Sequence, residues 1–180
     1  TAYFDIKKRV LVLPVWQGIS EDLYDMLVVH EVGHALDTPL DAWLAGIKNI
    51  ADTIIKNNAT KFDYDPSTKK PSKALEAAIK DFINIIEDAR IDKRQIRRYP
   101  GSKRNYVNGY KELMDRDFFG LKSKEIKTLA LIDRINTHFK TTGIIVPFTP
   151  EERVFVTRTA EAETFEEVLK IAEELFQYHI

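Results

Sequence analysis

Two histidines four residues apart, with a glutamate directly after the first, are the residues best placed to do chemistry: His30-Glu31-Val32-Gly33-His34. On a helix, positions i and i+4 project from one face, so both imidazoles can meet one zinc ion. Glu31 sits about 100° round the helix from His30. From there it does not ligate but reaches a water on the metal. Zinc brings the pKa of such a water toward 7, and the glutamate accepts its proton as the oxygen attacks a carbonyl carbon. The chain has four histidines and no cysteine. Any metal is therefore held by imidazole and carboxylate, a set typical of catalytic rather than closed structural zinc. The intervening and flanking residues Val28, Val29, Val32, Gly33, Ala35 and Leu36 are uncharged, as a buried active-site helix requires.

A catalytic zinc keeps three protein ligands, so a third is needed. The segment Asn84-Ile85-Ile86-Glu87-Asp88-Ala89-Arg90-Ile91-Asp92 places acids inside an apolar stretch, where they need a metal, an arginine or hydrogen-bond partners. Glu87 shares a face with Ile83 and Ile91, while Asp88 and Asp92 share the next. The reading adopted takes Glu87 as third ligand and Asp88 as hydrogen-bond partner of a ligating histidine. The opposite assignment, with Asp88 on the metal, stays open, as does simple salt bridging with Arg90, Lys93 and Arg94. His138, at a helix end, and His179, next to the last residue, have no local motif. An oxyanion donor is often a Tyr or His, and Tyr106 is the candidate.

These residues need a scaffold. Arg9–Trp16 (RVLVLPVW) reads as a strand, pushed toward an edge position by Pro14. Its edge can flank the cleft and pair with an extended substrate. Ser20 caps a helix running to about Leu36, with Leu23, Leu27, His30 and His34 on one face. Leu40–Asn57 is a second helix, and Asn58–Pro71 a polar loop. Ser72 caps a long helix to about Arg98, stopped by Tyr99-Pro100-Gly101. Helices near Arg104–Asp115 and Ser123–Phe139 follow, then an extended piece at Ile144–Phe148. Thr149-Pro150-Glu151-Glu152 and Thr164-Phe165-Glu166-Glu167 are capping boxes. The final helix turns Val168, Ile171, Ala172 and Leu175 inward. The expected class is mainly α (α+β), one domain over residues 1–180, with a small N-terminal sheet or edge strand.

Composition bounds the partners. The chain of 180 residues has 27 Lys+Arg against 28 Asp+Glu, a net charge of -1. That balance gives no global attraction to nucleic acid or anionic membrane. No apolar run reaches the roughly 18 residues a spanning helix needs. Arg90, Lys93, Arg94, Arg97, Arg98, Lys103 and Arg104 form a basic run, read as a solvated helix face and as partners for Glu87 and Asp88 rather than a nucleic-acid patch. Thr1–Arg9 lacks the pattern of a signal peptide, so a cytoplasmic setting is the default.

VVHEVGHAL on a capped helix after a strand resembles the zincin metallopeptidases. A metzincin would carry a glycine three residues after His34 and a histidine six after it; Asp37 and Leu40 stand there instead. An acidic ligand on a later helix resembles the gluzincin branch. There, ligand and histidine-binding Asp lie four residues apart in thermolysin-like enzymes, a spacing Asp88 and Asp92 have and Glu87 lacks. Ile86-Glu87-Asp88-Ala89-Arg90-Ile91-Asp92, followed by Arg98-Tyr99-Pro100-Gly101, is similar to a block in the N-terminal regions of nitric oxide reductase activation and cobalt chelatase CobT-like proteins. Those carry a von Willebrand A domain and act with MoxR-type ATPases. This chain has no room for that domain, so it looks more like the stand-alone predicted metallopeptidases of tailed phages, which implies the host cytoplasm. The resemblance spans roughly Leu11–Tyr106. It implies a zinc-dependent peptidase site but supplies no substrate; joined to the residue reading above, the expectation is Zn²⁺ on His30, His34 and Glu87, Glu31 as base, and a protein or peptide as substrate. It also implies a larger assembly partner. The competing expectation is a non-catalytic binding or assembly module that retains a structural metal.

Overall fold

The computed structural model describes residues 1–58, 64–65, 67, 70–121 and 124–180. Among them the chain is mainly helical, with small two-stranded sheets. Strand β1 (Tyr3–Asp5) pairs antiparallel with β2 (Val10–Val12), Phe4 opposite Leu11. The strand expected over Arg9–Trp16 is thus only three residues long. Arg9 enters it from a left-handed conformation (φ 58°), and Pro14 has no N–H to extend the ladder. Its partner was not anticipated, because three residues are too few to show alternation.

Helix α1 (Glu21–Asp37) starts where expected, with Ser20 Oγ accepting the Leu23 N–H and Glu21 and Asp22 in the first turn. Helix α2 spans Leu40–Asn57. Within the expected loop, β3 (Tyr64–Asp65) and β4 (Lys70–Pro71) form a minimal antiparallel pair; residues 59–63, 66 and 68–69 of that loop lie outside the described residues. Helix α3 (Lys73–Arg98) is capped by Ser72, whose Oγ accepts the Leu75 N–H. Its 26 residues make a rod of about 40 Å.

Helix α4 (Lys103–Asp115) follows a single 3-10 turn at Pro100–Ser102. The helix expected over Ser123–Phe139 begins only at Leu131: Ile126–Thr128 is a 3-10 turn, and Leu129 and Ala130 are extended, giving α5 (Leu131–Lys140). The proposed start at Ser123 lies outside the described residues. Thr149 and Glu152 cap α6 (Pro150–Glu161) reciprocally, with Pro150 in the first turn. Thr164 caps α7 (Phe165–His179) by accepting from Glu167 N. The second box is incomplete, since Glu167 Oε2 takes the N–H of Glu163 instead.

Two apolar clusters result. The larger joins α2, α3, α5, α6 and α7 around Ile54, Ile79, Ile83, Ile86, Ile135 and Leu175. The smaller sits between α1 and α4, around Leu23, Met26, Leu27, Tyr106 and Leu113. Helix α3 packs against α1 as well as against α2, α5, α6 and α7, so its faces serve different neighbours. No helix among the described residues is long and apolar enough to cross a membrane.

Candidate metal centre

The approach of α1 to α3 is set at Gly33. A Cβ there would overlap Ile91 Cγ2 and lie 2.8 Å from Gln95 Cγ, so only a glycine lets the helices come this close. Polar struts fix the contact on both sides of the histidines. The buried Gln95 donates to the Val29 carbonyl (2.7 Å). Arg90 donates to the Asp37 carbonyl (2.8 Å), and Arg98 and Arg94 reach the Asp37 carboxylate.

With the helices so placed, His30 and His34 point their Nε2 atoms at one carboxylate oxygen, Oδ1 of Asp88, at 3.4 and 2.9 Å. One donor atom from each of the three residues lies within 4.8 Å of the others. The spacing suits a small cation: zinc bonds of about 2.0–2.2 Å at tetrahedral angles separate donors by about 3.3 Å. The far nitrogens are anchored. His30 Nδ1 meets Asp92 Oδ1 at 2.6 Å, and His34 Nδ1 meets Thr38 Oγ1 at 2.9 Å. A ligating histidine commonly donates its other N–H in this way, which fixes tautomer and ring orientation. Asp92 is held in turn by the Tyr110 hydroxyl at 2.6 Å. Donor set and surroundings therefore fit a zinc ion on His30, His34 and Asp88.

Of the two adjacent acids, the structure brings Asp88 and not Glu87 to the histidines. Glu87 is fully buried, but on the neighbouring face of α3, where it pairs with Arg90 Nε at 2.6 Å. Burial pushes its carboxyl up, and the Arg90 guanidinium pulls it back. The 100° step between adjacent helical residues turns Glu87 into the core and Asp88 toward α1. Asp92 keeps the supporting position, on His30. Tyr106 also lies elsewhere than expected. It is buried in the smaller apolar cluster, on the Asp92 side of the centre, and does not line the cleft; Tyr110 does. His138 packs edge-on to Phe139 and Phe148, and His179 lies against Phe82.

The three side chains line a cavity of about 590 Å³. Along α1 its wall runs from Met26 through His30, Glu31 and His34 to Thr38, about 18 Å of helix. Trp16, Leu113, Phe118 and Phe119 line it as well, as do Trp43, Leu44 and Asn84. The hairpin strand on the cleft is β1, not β2: Tyr3, Phe4 and Asp5 line the cavity.

Glu31 is 7% exposed and on this wall. Burial raises its carboxyl above the ordinary value, and His30 and His34 lower it again. Asp88 behaves oppositely: burial alone would raise it, yet Lys140 and His30 hold it well below the carboxylate range. His30 is raised well above 6.5, since Asp92 and Asp88 outweigh its own burial. Lys140 Nζ lies 2.9 Å from Asp88 Oδ2. No signal in the sequence marks Lys140 or Tyr110, because both arrive from distant helices. Thr38 was not singled out either, although its place four residues after His34 on one helix face was a signal that could have found it.

The basic run is largely paired. Arg97 forms a two-pronged pair with Glu163, Lys93 donates to the Ala160 and Ala162 carbonyls, and Arg104 is 3.5 Å from Asp22.

Comparison with protein-family models, with curated proteins and with solved structures returned no match.

Proposed function

We propose that this chain is a zinc-dependent peptidase with His30, His34 and Asp88 as the metal ligands and Glu31 as general base. The observation that carries the reading is the convergence of three donor atoms whose outer partners are already in place, on the wall of a cleft that also holds Glu31. A structural site has no use for a buried, unligated glutamate beside the ligands, and burying one is costly unless it has work or a partner.

When bound, zinc would acidify a water and polarise the scissile carbonyl. The protein residues do the rest. Glu31 takes the proton of the attacking water as the new C–O bond forms. It then returns that proton to the amine nitrogen as the C–N bond breaks. Asp92 and Thr38 hold the two imidazoles with Nε2 facing inward. The cleft, with β1 along one side and apolar walls, accommodates an extended chain.

The test pairs metal content with turnover. Purified protein should hold about one zinc per chain. Glu31→Gln should keep the zinc while hydrolysis of an unstructured protein substrate falls about 10²–10⁴-fold. Full activity in that variant would exclude Glu31 as base. Zinc bound with no hydrolysis by wild type would favour the assembly-module alternative.

A further inference from the structure

We infer that Lys140 is a positioning residue of the metal centre, confining Asp88 to a single oxygen at the metal by holding its other oxygen. The inference rests on the zinc reading above. It starts from how the structure divides the Asp88 carboxylate. Oδ1 faces His34 Nε2 at 2.9 Å and His30 Nε2 at 3.4 Å. Oδ2 faces away from them, onto Lys140 Nζ at 2.9 Å. Lys140 is the last residue of α5, its side chain 16% exposed and on the cleft wall. A flexible lysine with water within reach has no need to enter a cleft. Here it is drawn in by the one carboxylate that both histidines face.

The consequence is one of coordination number. Two imidazoles and a chelating carboxylate already supply four donors, which closes a tetrahedral zinc. Two imidazoles and a carboxylate bound through one oxygen leave the position a hydrolytic site requires. With Oδ2 engaged by an ammonium, chelation is blocked. The same ammonium draws charge away from the carboxylate, making it a weaker donor and the metal a stronger acid. A cation this near also opposes a dication, so Lys140 lowers zinc affinity while raising turnover. A purely structural ion pair would do the reverse, supporting both together.

Lys140→Met separates these cases. Zinc affinity, measured by chelator competition, should be equal to wild type or tighter. kcat should fall tenfold or more, with KM changed less than about threefold, within the 10–100-fold range of partners that orient ligands. In cobalt(II)-substituted protein the visible bands should shift as Asp88 Oδ2 takes the open position. Lys140→Arg should recover the wild-type spectrum and most of kcat. If Lys140→Met fails to fold, a crystal structure of the zinc-loaded wild type decides: Asp88 Oδ2 on Lys140 supports the inference, and Oδ2 on the ion overturns it. An unchanged kcat and spectrum, or zinc affinity falling in step with kcat, also overturns it. If wild type binds zinc but cleaves nothing, the peptidase reading fails and the cobalt spectrum still decides Lys140. A wild-type chain that takes up no metal overturns both.

Discussion

Glu87 and Asp88 are neighbours in sequence, both acidic and both buried, and their environments are opposite. Glu87 faces Arg90 inside the helical core, and Asp88 faces two imidazoles and an ammonium at the cleft. Their alanine variants should therefore fail differently. Asp88→Ala should lose zinc affinity by at least about 10–100-fold, since it removes a donor. Glu87→Ala should leave zinc affinity near wild type but destabilise the fold by about 3–5 kcal/mol, because it strands the buried Arg90. Chelator competition and denaturant unfolding on the same two proteins check this. A larger loss of zinc affinity at Glu87 would reverse the assignment. At this scale the histidine pair and Glu31 were legible, because their geometry is local to one helix. The choice between two adjacent acids was not, because it depends on which face of α3 meets α1.

Between elements, the α1–α3 contact does most of the positioning, and Gly33 is its closest point. Gly33→Ala adds a methyl that meets Ile91 and Gln95, both fully buried. Neither can swing aside into solvent. We expect destabilisation of about 1–3 kcal/mol from overpacking, although alanine is the better helix former. Zinc affinity should fall as well, as the helices are wedged apart. Gly46→Ala offers the contrast. Its Cβ meets the methyl ends of Leu169, which is only partly buried, so thermal melts should show a much smaller loss. The long helices and their caps were readable from Ser20, Ser72 and Thr149, since capping is a matter of a few adjacent residues. The late start of α5 and the short β1–β2 hairpin were not, because neither has a periodic stretch long enough to stand out.

For the whole molecule, the metal would cross-link helices more than fifty residues apart, so binding should report on folding. Zinc at about 100 times its Kd should add about 2.7 kcal/mol to stability by mass action, visible as a rise in melting temperature that a chelator reverses. The rise should depend on pH. In the metal-free protein burial works against a proton on His30, but Asp92 and Asp88 prevail and raise its pKa well above 6.5. Zinc needs that imidazole neutral, so binding displaces a proton. Below the raised pKa each unit fall in pH should weaken zinc by about tenfold, and above it the dependence should flatten. Without metal the sign is opposite: protonated His30 contributes stability that is present below its unfolded pKa and lost as pH rises through the folded one. Melts with and without zinc at pH 6 and pH 8 check both. A zinc effect of equal size at the two pH values would argue against His30 as a ligand.

The sequence by itself determined what is encoded within a turn or two of chain: a capped helix carrying His30, Glu31 and His34, an acid-bearing helix further on, and the absence of cysteine ligands. Only the tertiary structure decided which acid joins the histidines, which residues hold the imidazoles and that a lysine shares the carboxylate. The physical reason is that a side chain's direction is set by helix phase. Which phase faces which neighbour is settled by close approaches such as Gly33 on Ile91, which no local pattern announces.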